Sequence, residues 1–157
     1  MKYNDLTKII GLRPATGLTK DGLFLSMLLI GMPVAWVLAS TGFVGFPKDN
    51  KLMIYLSVLF WFPLFEELTF RGLIQGVWTR GASEGGRWLG ITRANLLTSM
   101  AFVGWHLMYQ PAFFVLVLIV PSLVFGFFRD RYDSMVPSLM LHVGYNGFLL
   151  LAVELVP

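Results

Sequence analysis

The stretch Trp61–Arg71, WFPLFEELTFR, places two adjacent carboxylates inside a run that is otherwise apolar and aromatic. On a helix, Glu67 and Arg71 are four residues apart, so they lie on one face and can form an ion pair. Glu66 points about 100° away from Glu67 and is left outside that pair. Because a buried charge is costly unless it is paired or used, the stretch predicts that Glu66 has a functional partner elsewhere in the chain.

The composition is that of a membrane protein. Of the 157 residues, 56% are hydrophobic and 13% are charged, and the mean hydropathy is +0.70. A soluble domain would have about 25% charged residues. Five apolar stretches have about the length that a helix needs to cross a bilayer: Gly22 to about Phe43, Leu52 to about Trp78, Arg93 to Tyr109, Ala112 to Phe128, and Ser134 to about Val156. The sequence predicts an all-α, polytopic membrane helix bundle of about five transmembrane helices, forming a single domain over residues 1–157.

The basic residues predict how these spans are oriented. Residues 1–21 are polar and basic, and we expect them to lie at the cytoplasmic headgroups without a cleaved signal peptide. Nine Lys and Arg residues lie in this segment, in loop 79–92 with Arg93, and in loop 129–133, whereas Lys48 and Lys51 lie on the other side. The positive-inside rule then predicts a cytoplasmic N-terminus and an external C-terminus. Since loop positions explain the net charge, nucleic acid is not an expected partner.

The remaining polar residues of interest lie within the apolar stretches. The chain has no cysteine, which excludes disulfides and thiolate chemistry. Its two histidines are His106 in the third stretch and His142 in the fifth, and Asn146 shares a helix face with His142. Intramembrane ionisable residues usually face the protein interior or a water-filled cavity and mark function. We therefore expect one hydrated site in the core, near the backbone disturbance that Pro63 causes just before Glu66.

Three motifs carry a family resemblance. They are Glu66-Glu67-x-x-x-Arg71, Phe102-x-x-x-His106 and His142-x-x-x-Asn146. In this order on successive spans, they resemble the motifs of the CPBP family of intramembrane proteases. That family includes CAAX prenyl endopeptidases of Ras-converting type, abortive-infection-like proteins and bacteriocin self-immunity proteins. The resemblance covers residues 52–147, the expected catalytic core.

The resemblance implies a glutamate-dependent intramembrane endopeptidase that uses no cofactor and no metal. Glu66 would be the general base that activates a water molecule, and His106 would hold or share the proton. His142 and Asn146 would donate hydrogen bonds to the tetrahedral oxyanion. A carboxylate in a low-dielectric cavity suits such acid–base work.

The resemblance also implies supporting residues and a substrate class. Glu67 would be held ionised by Arg71 as a scaffold, and Phe102 would pack beside His106. The substrate would be a membrane-anchored or lipidated protein or peptide, cut in CAAX-type, leader-peptide or C-terminal sorting-signal processing. The expected location is a prokaryotic plasma membrane.

Three alternatives stay open at the level of sequence. Glutamate and two histidines can bind zinc, although the sequence lacks His-Glu-x-x-His and any cysteine. A rhomboid-type serine protease would use Ser83 with His142 and Asn146, although Ser83 lies in a charged loop and the order is reversed. The third alternative is a non-catalytic immunity or regulatory protein whose polar residues bind a partner or hold helices together. Such a binder would tolerate Glu66→Gln.

Overall fold

The computed structural model describes residues 3–42, 44–46, 50–81 and 86–156. Its helices are α1 (Tyr3–Ile10), α2 (Gly22–Ser40), α3 (continuous over residues 51–81), α4 (Arg93–His106), α5 (Ala112–Val117), α6 (Ile119–Tyr132) and α7 (Val136–Leu155). These ranges contain no β-strand beyond an isolated bridge, so the predicted all-α class is confirmed. Four residues used in the sequence analysis lie outside the described residues. They are Lys2 and Lys48 of the charge count, Phe43 at the end of the first predicted span, and Ser83 of the serine-protease alternative.

Within the described ranges, four helical stretches are long and apolar enough to cross a membrane. They are Gly22–Ser40, Lys51–Arg80, Ala112–Tyr132 and Val136–Leu155. The predicted third span differs, because α4 has 14 residues and extends only about 21 Å. Thr92 caps its first turn by accepting a hydrogen bond from the Asn95 N–H, and turns replace the helix after His106. Four long helices and one short helix thus occupy the five predicted stretches.

Helix α3 contains two wide, π-helical segments, Ser57–Trp61 and Leu68–Gln75, between its α-helical segments Lys51–Leu56, Phe62–Glu67 and Gly76–Gly81. In the first of them the Phe62 N–H bonds to the Ser57 carbonyl, five residues back. Pro63 has no N–H to continue this pattern to the Val58 carbonyl. Instead, Asn146 on α7 donates its Nδ2 to that oxygen at 2.9 Å. The backbone disturbance expected near Pro63 is therefore a π-helical turn, and the Asn146 side chain donates the hydrogen bond that Pro63 cannot.

The chain divides into two compact units, and the division falls inside α3 and inside α7. The first unit contains the described residues up to Thr16 and Glu66–Leu139, and the second contains Gly17–Phe65 and the described residues from Met140 onward. The single domain expected over residues 1–157 stays a prediction.

In the first unit, α1 packs closely on the glycine face of α3. A side chain at Gly76 would overlap the Ile9 carbonyl, and one at Gly72 would crowd Ile10. Backbone bonds fix this segment further, since the Met135 N–H donates to the Gly11 carbonyl at 3.0 Å. Residues 3–13 are therefore part of the packed unit and do not only cover its surface.

In the second unit, α2 and α7 approach each other through small residues. The Tyr145 ring lies against Gly31, and its hydroxyl donates to the Met27 carbonyl at 2.7 Å. Leu28 similarly lies against Gly144. Small residues at such crossings allow close helix packing in membranes, which fixes the part of α7 that carries His142 and Asn146.

Candidate active site

A buried polar network in the first unit surrounds the second half of α3. The side chains of Glu67, Arg71 and Gln75 follow one another at four-residue intervals and are 0% exposed. Gln75 donates from Nε2 to the Gly126 carbonyl at 2.9 Å and to Asp130 Oδ1 at 2.8 Å. The helix thus keeps its polar side chains inside the protein, as a lipid environment requires.

The ion pair predicted between Glu67 and Arg71 is present. Arg71 NH1 lies 3.2 Å from Glu67 Oε1, while NH2 donates to the Ser122 carbonyl at 3.1 Å and to Ser122 Oγ at 2.8 Å. The Arg71 guanidinium also lies 4.6 Å from the ring centroid of Phe102. Ion pairing, charge-assisted hydrogen bonds and a cation–π contact together hold this cation in place.

Phe102 connects this network to His106. Its ring is 3% exposed and lies between the Arg71 guanidinium and the His106 imidazole, whose centroid is 4.3 Å away. The edge of Phe70 packs against it at a centroid distance of 5.1 Å. Phe102 therefore packs beside His106, as the family resemblance implies, with the two ring planes inclined at 38°.

Glu66 and His106 face each other in the first unit. Glu66 Oε1 lies 3.9 Å from His106 Nε2, and the two side chains are 22% and 13% exposed. The other ring nitrogen, Nδ1, lies 2.9 Å from the Phe102 carbonyl oxygen. Since a carbonyl only accepts hydrogen bonds, we assign the proton of the neutral imidazole to Nδ1. Nε2 then presents a lone pair toward the carboxyl group of Glu66.

His142 and Asn146 lie in the second unit, on one face of α7. His142 is buried, and Asn146 is half-buried, with one amide donor used on the Val58 carbonyl. A carboxamide has two N–H donors, so this bond leaves Asn146 with a second one. Sequence reasoning placed both residues at the site without foreseeing the structural bond that Asn146 makes.

Several members of the buried network were missed from the sequence. Asn95 donates to the Leu123 carbonyl at 2.9 Å and accepts from Ser99 Oγ at 3.1 Å, and Asp130 accepts from Thr92 at 2.7 Å. Four-residue spacing was an available signal, because Asn95 and Ser99 share a face of α4 as Glu67 and Arg71 share one of α3. Within the described ranges, no group of three His, Asp or Glu side chains is arranged to hold a metal ion.

A comparison with models of protein families shows to which family the chain belongs. The family model described as type II CAAX prenyl endopeptidase Rce1-like matches residues 48–148. The chain belongs to this family. Searches among curated proteins and among solved structures find no match. The resemblance to CPBP proteases is thereby confirmed.

Membership in the CAAX prenyl endopeptidase-like family implies a peptidase. The matched range contains Glu66, His106, His142 and Asn146. Together with the four apolar helices, the family identifies the chain as an integral membrane protein of CAAX-protease type.

Proposed function

We propose that the protein is a glutamate-dependent intramembrane endopeptidase that cleaves a membrane-associated protein or peptide. The observation that carries the proposal is the approach of Glu66 Oε1 to His106 Nε2 at 3.9 Å, on an imidazole whose Nδ1 is committed to the Phe102 carbonyl. Two acceptors held this close can share a water molecule, which is the nucleophile that peptide hydrolysis needs.

The geometry supports a specific arrangement of that water. A water molecule about 2.8 Å from both acceptors fits the gap, with an angle of about 90° at its oxygen. It would donate one hydrogen to the Glu66 carboxylate and the other to His106 Nε2, which leaves its lone pairs for the scissile carbonyl. Glu66 then takes the proton as water attacks, a step that typically contributes about 10²–10⁴-fold to the rate. His106 shares the proton, which is returned to the leaving amine.

We assign the oxyanion donors to His142 and Asn146. This assignment rests on their motif and on the second amide N–H of Asn146 that the bond to Val58 leaves. A donor aimed at the developing oxyanion typically contributes about 3–4 kcal/mol. Glu67 and Arg71 are assigned a scaffold role, because they fix the helix turn that follows Glu66.

The substrate class and the location are further parts of the proposal. We propose a lipidated C-terminal tail, a leader peptide or a C-terminal sorting signal as the substrate, cut without a metal ion. We also propose a prokaryotic plasma membrane, with the N-terminus in the cytoplasm and the C-terminus outside. The orientation follows the distribution of Lys and Arg and requires the short helix α4 with its following turn to cross the membrane.

The test compares membrane peptides in cells that carry wild type, Glu66→Gln, Glu66→Asp or Glu154→Gln. Glu154→Gln is the matched control, because it makes the same change at an exposed carboxylate paired with Lys51. We expect uncut peptides to accumulate with Glu66→Gln and to be absent with the control. If no peptide accumulates with Glu66→Gln, the protease proposal is wrong and a binding protein is favoured.

Glu66→Asp tests the water geometry separately. The shorter side chain withdraws the carboxylate by up to about 1.5 Å, to roughly 5.4 Å from Nε2. A water with tetrahedral geometry spans only about 4.5 Å between two acceptors. Glu66→Asp should therefore be nearly as inactive as Glu66→Gln although it keeps the charge, and wild-type activity in Glu66→Asp would contradict the shared water.

A further inference from the structure

A cavity of about 270 Å³, lined mainly by polar and charged residues, lies in the first unit at one end of its long helices. Its wall includes Arg80 near the end of α3, Arg87 in the following loop, and Arg129, Asp130 and Asp133 at the end of α6. These positions end the apolar stretches Lys51–Arg80 and Ala112–Tyr132. The ends of apolar stretches lie at the level of lipid headgroups.

The inner charges of the cavity already have partners within the protein. Arg129 donates to the Arg71 and Ile9 carbonyls at 3.2 and 2.9 Å and to Asp133 at 3.0 Å. Asp133 also pairs with Arg13. Asp130 accepts from Gln75 and from Thr92. Asp133 is therefore neutralised by two arginines, whereas Asp130 keeps its negative charge, which the nearby Arg129 partly offsets.

The two outer arginines differ from this inner group. Arg80 and Arg87 are exposed, and neither makes a hydrogen bond or an ion pair with another residue of the described ranges. With three arginines against two aspartates, the wall has an excess of positive charge. A guanidinium presents a fork of donors that matches a phosphate, so the outer rim of the cavity suits a phosphate group.

The surface next to the cavity indicates that the phosphate is part of an amphiphile. On α3, Val77 and Trp78, directly before the polar residues of the rim, are exposed apolar side chains at 52% and 38%, and Leu73 one turn earlier is exposed at 41%. A free phosphate ion would gain nothing from these side chains, whereas acyl chains would cover them. We propose that Arg80 and Arg87 bind the phosphate of an anionic lipid whose acyl chains lie along this face of α3.

The experiment offers the purified full-length protein equal amounts of dioleoylphosphatidylglycerol and dioleoylphosphatidylcholine in detergent and measures bound lipid by native mass spectrometry. Wild type should retain the anionic lipid preferentially. Arg80→Gln and Arg87→Gln should each weaken its binding about fivefold, and the double variant about thirtyfold, since each basic side chain near the headgroups contributes a similar increment. Arg93→Gln is the control, because it removes an exposed arginine close in sequence that does not line the cavity.

Three results would overturn the proposal: no preference for the anionic lipid in wild type, an equal loss in Arg93→Gln, or displacement of the lipid by inorganic phosphate at comparable concentration. The last result would assign the cavity to free phosphate. The melting temperature of each variant is measured in parallel, and Arg80→Lys with Arg87→Lys, which keeps the charge but loses the donor fork, should weaken binding less than the Gln pair. Peptidase activity does not enter this test, so the lipid site and the proposed function can fail independently.

Discussion

Replacing Asn146 by Leu should destabilise the protein through a single backbone carbonyl. The Val58 carbonyl accepts the Asn146 amide at 2.9 Å, and Pro63 provides no N–H in its place. Leucine has the same branching and the same number of side-chain heavy atoms but cannot donate, so the variant leaves a polar group unbonded in an apolar environment. Such a group costs about 1–3 kcal/mol. For a chain of this size, the melting temperature should fall by about 2–12 °C.

A second substitution should restore what the first removes. In the π-helical register of Ser57–Trp61, in which the Phe62 N–H reaches the Ser57 carbonyl, an N–H at residue 63 would face the Val58 carbonyl. Pro63→Ala supplies that N–H. The loss of stability in the double variant should therefore be smaller than the sum of the losses in the two single variants. The difference, which is the coupling free energy, should be about 0.5–3 kcal/mol.

Thermal unfolding in detergent, followed by helical circular dichroism, measures this cycle. Tyr145→Phe is the control, because it removes a different hydrogen bond made by α7, that to the Met27 carbonyl, which Pro63→Ala cannot replace. Additive losses for Asn146→Leu and Pro63→Ala would refute the reasoning. Peptide cleavage by the double variant then separates two roles: recovery of stability without activity supports an oxyanion donor at Asn146, whereas recovery of both leaves the residue with a structural role alone.

Two further predictions concern charge. Glu67→Gln leaves the fully buried Arg71 without its paired carboxylate and should lower the free energy of unfolding by about 3–5 kcal/mol. Glu154→Gln, at the exposed pair with Lys51, should leave the melting temperature almost unchanged. Equal shifts of the melting temperature in the two variants would argue against a buried charge pair. A reporter enzyme that is active only outside the cytoplasm, fused after the last residue, should be active, and an inactive reporter would indicate an even number of crossings, as the four long helices alone would give.

The helices could be predicted from the sequence because apolar length is a local property. The ion pair between Glu67 and Arg71 could be predicted for the same reason, since both residues lie on one helix. The end of α4 could not, because a hydropathy average does not reveal that turns replace the helix after His106. The π-helical segment Ser57–Trp61 of α3 precedes Pro63 and receives a hydrogen bond that Asn146, more than 80 residues away, donates to the Val58 carbonyl. A regular helical period gives no sign of it.

The candidate site divides in the same way. Glu66, His106, His142 and Asn146 could be proposed from the sequence because they stand out as polar residues in apolar stretches and match an ordered set of motifs. The Nδ1 proton of His106 and the position of Phe102 between two charged or polar groups depend on side-chain geometry, which spacing alone does not specify. The contacts of Asn95 also depend on how α4 meets α6, where a side chain at Gly126 would overlap the Asn95 amide.

The bonds that fix α1 impose an order on biosynthesis. Arg129 donates to the Ile9 carbonyl, and Ser134 donates to the Arg13 carbonyl at 2.6 Å, so each bond joins residues about 120 positions apart. The ribosome makes α1 before these partners, which follow about 120 residues later. Until then, α1 has its contacts with the glycine face of α3 but lacks these two bonds. Helix α1 thus gains its last native bonds long after its own synthesis.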